Sequence, residues 1–295
     1  MKCDLHVHSY HSGLCTVPVV SRFCRESYSA PEAVFATLRR RGMNLFTLTD
    51  HDSIEGAEAL RRHRDFFVSE EVSCRMPSGT LAHIGVYDIT ERQHIQLQQR
   101  RHDLIRLLMY LSERQLFFSI NHVFSSLTGP RLQDDFPWFK EYFPAIETRN
   151  GHMLAEQNAN SVRLAYRWNK IGTGGSDAHV LASVGSAYTE VTGARDKEEF
   201  FTGLRMGRGQ VRGESGSFQK LTRDVFLIAF EVMREKAWTA LLAPLAPLIP
   251  AVTLLNYCNE SAFGRLWARR ILGGPESRRR ADWFDSPEPA VEEWT

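Results

Sequence analysis

"KCDLHVHSYHSGLC", residues 2–15, places His6, His8 and His11 within six positions of a strand-like run. Interior strands are ordinarily filled with Val, Ile and Leu. Side chains two apart on a strand share a face, so His6 and His8 point at one spot. Two neutral imidazoles converging on a point suggest a metal ion. A lone His-x-His pair also arises by chance on a surface, so the rest of the chain has to supply partners.

Working outward, apolar runs at 44–50 (NLFTLTD), 66–74, 81–89, 116–122, 145–148, 172–177 and 186–191 read as strands. Amphipathic stretches between them read as helices over 31–42, 91–114, 155–168 and 196–206. The first begins with Pro31 and stops at Gly42. The second carries Ile95, Leu104, Leu108 and Leu111 on one stripe. Strands regularly followed by helices predict right-handed crossovers and a largely parallel sheet. Seven or eight such units in about 200 residues fit a small β/α barrel better than an open sheet.

Polar residues stand at the C-terminal ends of these strands: Asp50, His51 and Asp52; Glu70 and Glu71; His83; His122; Glu147 and Asn150; Asp177 and His179. In a β/α barrel those ends share one mouth. Any one of the histidines alone is more often a hydrogen-bonded structural residue than a ligand. Their joint occurrence on successive strands is what points to metal. Imidazole with carboxylate suits Zn, Mn or Fe. The set exceeds what one ion needs, so two or three divalent ions sharing a bridging carboxylate are expected.

The motifs "DLHVHS", "TLTDHDSIEG", the glutamate of "SEEVS", "NHV" and "GGSDAH" resemble, in order and spacing, those of the polymerase and histidinol phosphatase (PHP) family, over about residues 1–195. The resemblance implies a distorted seven-stranded β/α barrel with a trinuclear centre that hydrolyses phosphate esters by metal-activated water. It implies that His6, His8, Glu71 and Asp177 hold one ion. Glu71 bridges to a second, held also by His83 and His122, and His51 and His179 hold a third. Catalysis then falls to Glu71, His51, Asp177 and His179. Glu71 is preferred to Glu70 because "EVS" follows the family pattern. One departure stands out: Gly13 and Leu14 occupy the positions where an Asp or His usually serves the third ion, and His11 and Cys15 are the nearest substitutes. Asp50 or Asp52 is expected to orient His51, and Arg149 is a candidate for phosphate. His63, His94, His102 and His152 are given no role.

The bulk numbers frame this reading. The chain has 295 residues, 43% hydrophobic and 24% charged, with a formal net charge of +1. That is globular and gives no global electrostatic reason for a nucleic-acid partner, although short nucleic acids remain among the family's substrate classes. Five scattered cysteines without a C-x-x-C pair suggest neither a disulfide framework nor a thiolate zinc site, and the expected location is the cytoplasm. Residues 1–213 are read as the catalytic barrel, and 214–295 as a helical extension with an Arg-rich stretch and an acidic tail. Within it, 237–258 hold no charge over 22 positions, roughly a bilayer's length. Pro244, Pro247 and Pro250 break that run, so packing on the barrel or a partner is expected before membrane contact. Two other classes stay open: an amidohydrolase-type enzyme, opposed by the absence of any lysine between Lys2 and Lys140, and a non-catalytic metal- or nucleotide-binding regulator.

Overall fold

The structure, a computed structural model, describes residues 1–15 and 24–273. The "SRRR" stretch (277–280) and the acidic tail (282–295) lie outside the described residues.

Two sheets form the body. The larger has the order β2 (Ser69–Arg75), β3 (Leu81–Tyr87), β4 (Phe117–Ile120), β5 (Ala145–Asn150) and β6 (Ile171–Gly175). The smaller joins β1 (Lys2–Cys3), β7 (Ala187–Val191) and β8 (Gly209–Gly213). The expectation of a largely parallel sheet is corrected: β2–β3 and β3–β4 are antiparallel, and only β4–β5 and β5–β6 are parallel. The reason is local. Residues 76–80 (MPSGT) fold a tight connection, with Gly79 at φ +89° and its N–H donating to Met76 O, so β3 returns directly beside β2 with no crossover helix.

A closed seven-stranded barrel is not seen either. The runs at 3–9 and 44–50 lie between β6 and β2, but isolated bonds join them in place of ladders. His8 N donates to Ala178 O, Thr49 N to Val7 O, and Phe67 N to Phe46 O. Side chains take over part of the ladder: Thr49 Oγ1 accepts from Val7 N, and Thr47 Oγ1 donates to Phe67 O. Gly175 permits the close approach here, since a Cβ on it would fall 2.3 Å from His6 N.

Helices cover the sheets. They are α1 (Pro31–Arg40), α2 (Glu55–Leu60), α3 (Glu91–Arg100), α4 (Leu104–Glu113), α5 (Asp135–Tyr142), α6 (Ala155–Trp168) and α7 (Lys197–Arg205). The single helix expected over 91–114 is two, because Asp103 breaks the run and caps α4 through Ile105 N and Arg106 N.

The extension consists of α8 (Phe218–Glu235), a 3₁₀ segment (Ala237–Leu248) and α9 (Ile249–Leu272). It is tied to the body at several points. Lys220 donates to Ser186 Oγ at 2.7 Å, and Arg25 Nε meets Glu235 at 2.8 Å. Buried Glu260 of α9 accepts from Ser125 Oγ, Ser126 N and Gln157 Nε2. Trp267 stacks near Phe136 at 5.2 Å. The middle of the extension behaves differently. Of the two expectations for 237–258, packing on the body is slight, since only Thr239 and Thr253 in that run are buried, and packing on a partner stays open.

Candidate metal centre

Glu71, on the third position of β2, is fully buried and sits at the centre of the imidazoles. Its Oε2 lies 3.2 Å from His6 Nε2, 3.5 Å from His8 Nε2 and 3.3 Å from His51 Nδ1. Its Oε1 lies 3.2 Å from His122 Nε2 and 3.5 Å from His83 Nδ1. Asp177 Oδ1 stands 3.3 Å from His6 Nε2 and 3.2 Å from His8 Nε2. Among the described residues, ligand-capable triads include His6, His8 and Asp177; His6, Glu71 and His122; His51, Glu71 and His83; and His8, His51 and His179.

Only His6 Nε2 and His122 Nε2 are hydrogen-bonded to Glu71 among these approaches. His8 Nε2, His51 Nδ1, His83 Nδ1 and His179 Nε2 are buried and lack a hydrogen-bond partner. Buried polar atoms are nearly always paired. Lone pairs of histidine and carboxylate aimed at shared points are what a cation would satisfy, and the donor set fits a borderline metal. The residues therefore fit the ions that the sequence motifs imply.

Strand neighbours divide the two acids. Glu70 faces the other way, accepting from His94 Nδ1 at 2.9 Å and Gln98 Nε2 at 2.7 Å. Backbone strain also gathers at the site. His122 has φ +30° and Asp177 φ +51°, conformations rare for residues with a side chain and found where function fixes them. A second ring of contacts sets the imidazoles. Glu147 accepts from His6 Nδ1 at 2.8 Å and from His122 N at 3.0 Å. Ser12 Oγ lies 2.9 Å from His8 Nδ1 and donates to Asp50 at 2.8 Å.

Electrostatics follow from burial. Burial opposes charge on His6, yet Asp177, Glu71 and Glu147 hold its pKa well above the ordinary value. Burial likewise opposes charge on His51, but Glu71 and Glu26 raise it to about 10. His8 goes the other way, pushed down to about 3 by burial and by the neighbouring His179, His51 and His6. Glu71 and Asp177 are lowered well below the carboxylate range: burial opposes this, but the imidazoles outweigh it. Protons on some imidazoles thus balance the carboxylates where cations otherwise would.

The body of the chain matches known architectures. A family model described as PHP-associated matches residues 155–208. A crystal structure from Bacteroides vulgatus ATCC 8482, of a "two-domain protein containing predicted PHP-like metal-dependent phosphoesterase", has a TM-score of 0.55 at 16% identity, covering 78% of this chain and 70% of that one. PsfC from Pseudomonas syringae PB-5123 has a TM-score of 0.53 at 19% identity, covering 79% of this chain and 98% of its own. The fold is that of the PHP family. No curated protein matches the sequence.

Within this PHP-type frame, the structure brings together all eight residues that the motifs single out: His6, His8, His51, Glu71, His83, His122, Asp177 and His179. It places them differently from a ring of strand ends. His83 is near the start of β3, not its end, because β3 runs antiparallel and pairs His83 with Ser73. His51 reaches both ways, Nδ1 toward Glu71 and Nε2 toward Glu26. Neither neighbouring aspartate orients its ring: Asp50 accepts from Ser9 and Ser12, and Asp52 from Ser73 N and Arg101. Arg149 donates to Ser215. His11 pairs with Glu55 at 3.0 Å.

Two residues escape the sequence reading. Glu26 stands 3.4 Å from both His51 Nε2 and His179 Nε2. Nothing in "CRESYS" marks it. The shortage of third-site ligands at Gly13 and Leu14 was the one available signal. His152 shares a ligand-capable group with Asp177 and His179, and Asp224 of α8 accepts from its Nε2 at 2.9 Å. His152 follows β5 at the same end as Asn150, so its position was legible, but its partner lies 72 residues on.

Proposed function

We propose that the chain is a metal-dependent phosphoesterase acting at the Glu71-centred cluster. The carrying observation is that the two oxygens of one buried carboxylate face five imidazoles, three of them through nitrogens that lack a hydrogen-bond partner. In this reading His6, His8, Glu71 and Asp177 hold one ion, and Glu71, His83 and His122 a second. His51, His179 and Glu26 hold a third. Divalent ions there would supply a water of lowered pKa and neutralise charge on the phosphoryl oxygens.

The protein's own part is positioning. Glu147 and Ser12 fix the tilt of His6 and His8, which keeps their coordinating nitrogens forward. His6, His8, Glu71 and Asp177 are almost fully covered, whereas the side chains of His51, His83, His179 and Glu26 remain 14–21% exposed. A phosphate ester therefore approaches from that second side. His152 stands beside Asp177 and His179, within the rim that such a substrate would meet.

The amidohydrolase alternative needs a bridging lysine, and a glutamate takes that central position. The regulatory alternative does not account for an open face beside a ligand-complete cluster. The deciding experiment is release of phosphate from phosphomonoesters, nucleotides and short oligonucleotides by protein loaded with Mn, Zn or Fe. Metal-dependent hydrolysis of any class supports the reading. Tight metal binding with no hydrolysis of any of them would favour the regulator.

A further inference from the structure

Residues 237–258 carry no charge, and the structure turns them inside out. The two buried side chains in the run are threonines. Thr239 Oγ1 donates to Val232 O and Lys236 O, and Thr253 Oγ1 donates to Ile249 O. The leucines face outward: Leu241 is 83% exposed, Leu255 67% and Val252 62%. Of the most apolar window of 237–272, only 11% is buried. A segment built for water has the opposite arrangement.

The exposed apolar side chains of α9 form one outward stripe. At about 100° per residue, Val252, Leu254 and Leu255 fall on the side of α9 opposite buried Thr253, Glu260 and Trp267. Leu242, Leu245 and Leu248, all exposed, stack at three-residue spacing along the 3₁₀ segment. An exposed apolar stripe bounded by basic residues suits the interfacial plane of a bilayer. Basic residues bound the run, Arg234 and Lys236 before it and Arg265, Arg269 and Arg270 after it, which is the chemistry that meets phosphate headgroups. Both ends of the segment are fastened to the same body, through Asp224 and Glu235 on one side and Glu260 and Trp267 on the other.

We propose that residues 238–255 form an insertion segment that seats the protein on the surface of a phospholipid bilayer without crossing it. The test is flotation of the full chain with phosphatidylcholine–phosphatidylglycerol vesicles. Wild type should float. Leu241→Asp/Leu255→Asp should lower the bound fraction by on the order of tenfold or more, since each leucine gives up several buried methylene groups. Leu245→Asp/Val252→Asp, at other exposed positions of the segment, should do the same. Circular dichroism of all three proteins should coincide, because the substituted positions touch solvent. Wild type remaining at the bottom of the gradient overturns the proposal, whether it is a monomer or a dimer that the same substitutions dissociate. So does a variant that folds and floats like wild type.

Discussion

Asp224, in the helix that follows the two-sheet body, accepts a hydrogen bond from Nε2 of His152 at 2.9 Å. Ser183 and Arg223 converge on the same carboxylate. The imidazole is thereby held in one tautomer beside Asp177 and His179. Asp224→Asn should lower turnover roughly 10- to 100-fold, the usual effect of removing an outer partner of an imidazole at a metal site. Adding it to His152→Gln should cost little more, because the two act as a unit. Steady-state kinetics of the double-mutant cycle measures this; fully additive losses would show that the pair is independent.

Glu71→Gln should abolish hydrolysis, by about a thousandfold or more, because an amide bridges two cations poorly and several kcal/mol of charge stabilisation are lost. Metal content should fall with it. Glu70→Gln serves as the control and should be far milder, since Glu70 faces His94 and Gln98. Comparable losses in the two variants would mean that the bridge is misassigned.

Glu26→Gln should remove about one ion from the set while leaving the others, as the carboxylate touches only His51 and His179 among the candidate ligands. His11→Ala should leave metal content unchanged, its ring being engaged by Glu55. Elemental analysis of the two purified variants separates these outcomes.

Metal binding should release protons at neutral pH. His51 is raised to about 10 in the metal-free site, burial being outweighed by Glu71 and Glu26, and His6 is raised by its carboxylates. A raised histidine is protonated below its folded pKa, and a metal must displace that proton. Apparent affinity therefore climbs as pH rises toward about 10, where His51 loses its proton unaided. Calorimetry of Mn or Zn binding in two buffers of different ionisation enthalpy reads the proton count, and a count of zero would contradict it.

The extension divides into a part that packs and a part that does not. Trp267 is 4% exposed, and Trp267→Ala should cost about 3–5 kcal/mol of stability. Leu255→Ser should stay within about 0.5 kcal/mol in detergent-free buffer. Denaturant titration of the two variants makes the comparison.

Much of this was written in short motifs. Period-two spacing put His6 and His8 on one face, and the order of motifs gathered the eight candidate ligands. The helices at 31–42, 155–168 and 196–206 appear as α1, α6 and α7 with ends shifted by at most two residues. The errors have physical causes. "MPSGT" is a turn signature with no helix between the runs at 66–74 and 81–89, and the general rule of strand followed by helix hid the antiparallel hairpin. Asp103 is a capping residue inside an apolar stripe, and periodicity alone cannot see the break. Glu26 and the Asp224–His152 pair depend on contacts between distant segments, which no local spacing encodes. The extension looked like a cover for the barrel because apolar residues normally seek an interior. Here its leucines face outward.

The β2–β3 hairpin also works as a ruler. Successive side chains on β2 alternate between the metal cluster and α3, so Glu71 meets the imidazoles only because Ser73 pairs with His83 and Glu71 with Gly85. Sliding the pairing by one residue would present Glu70 to the cluster and send Glu71 toward His94. The length of the five-residue link at 76–80 therefore fixes which of two chemically identical acids faces the imidazole cluster. A single inserted or deleted residue there would exchange their addresses while leaving every functional side chain in the sequence.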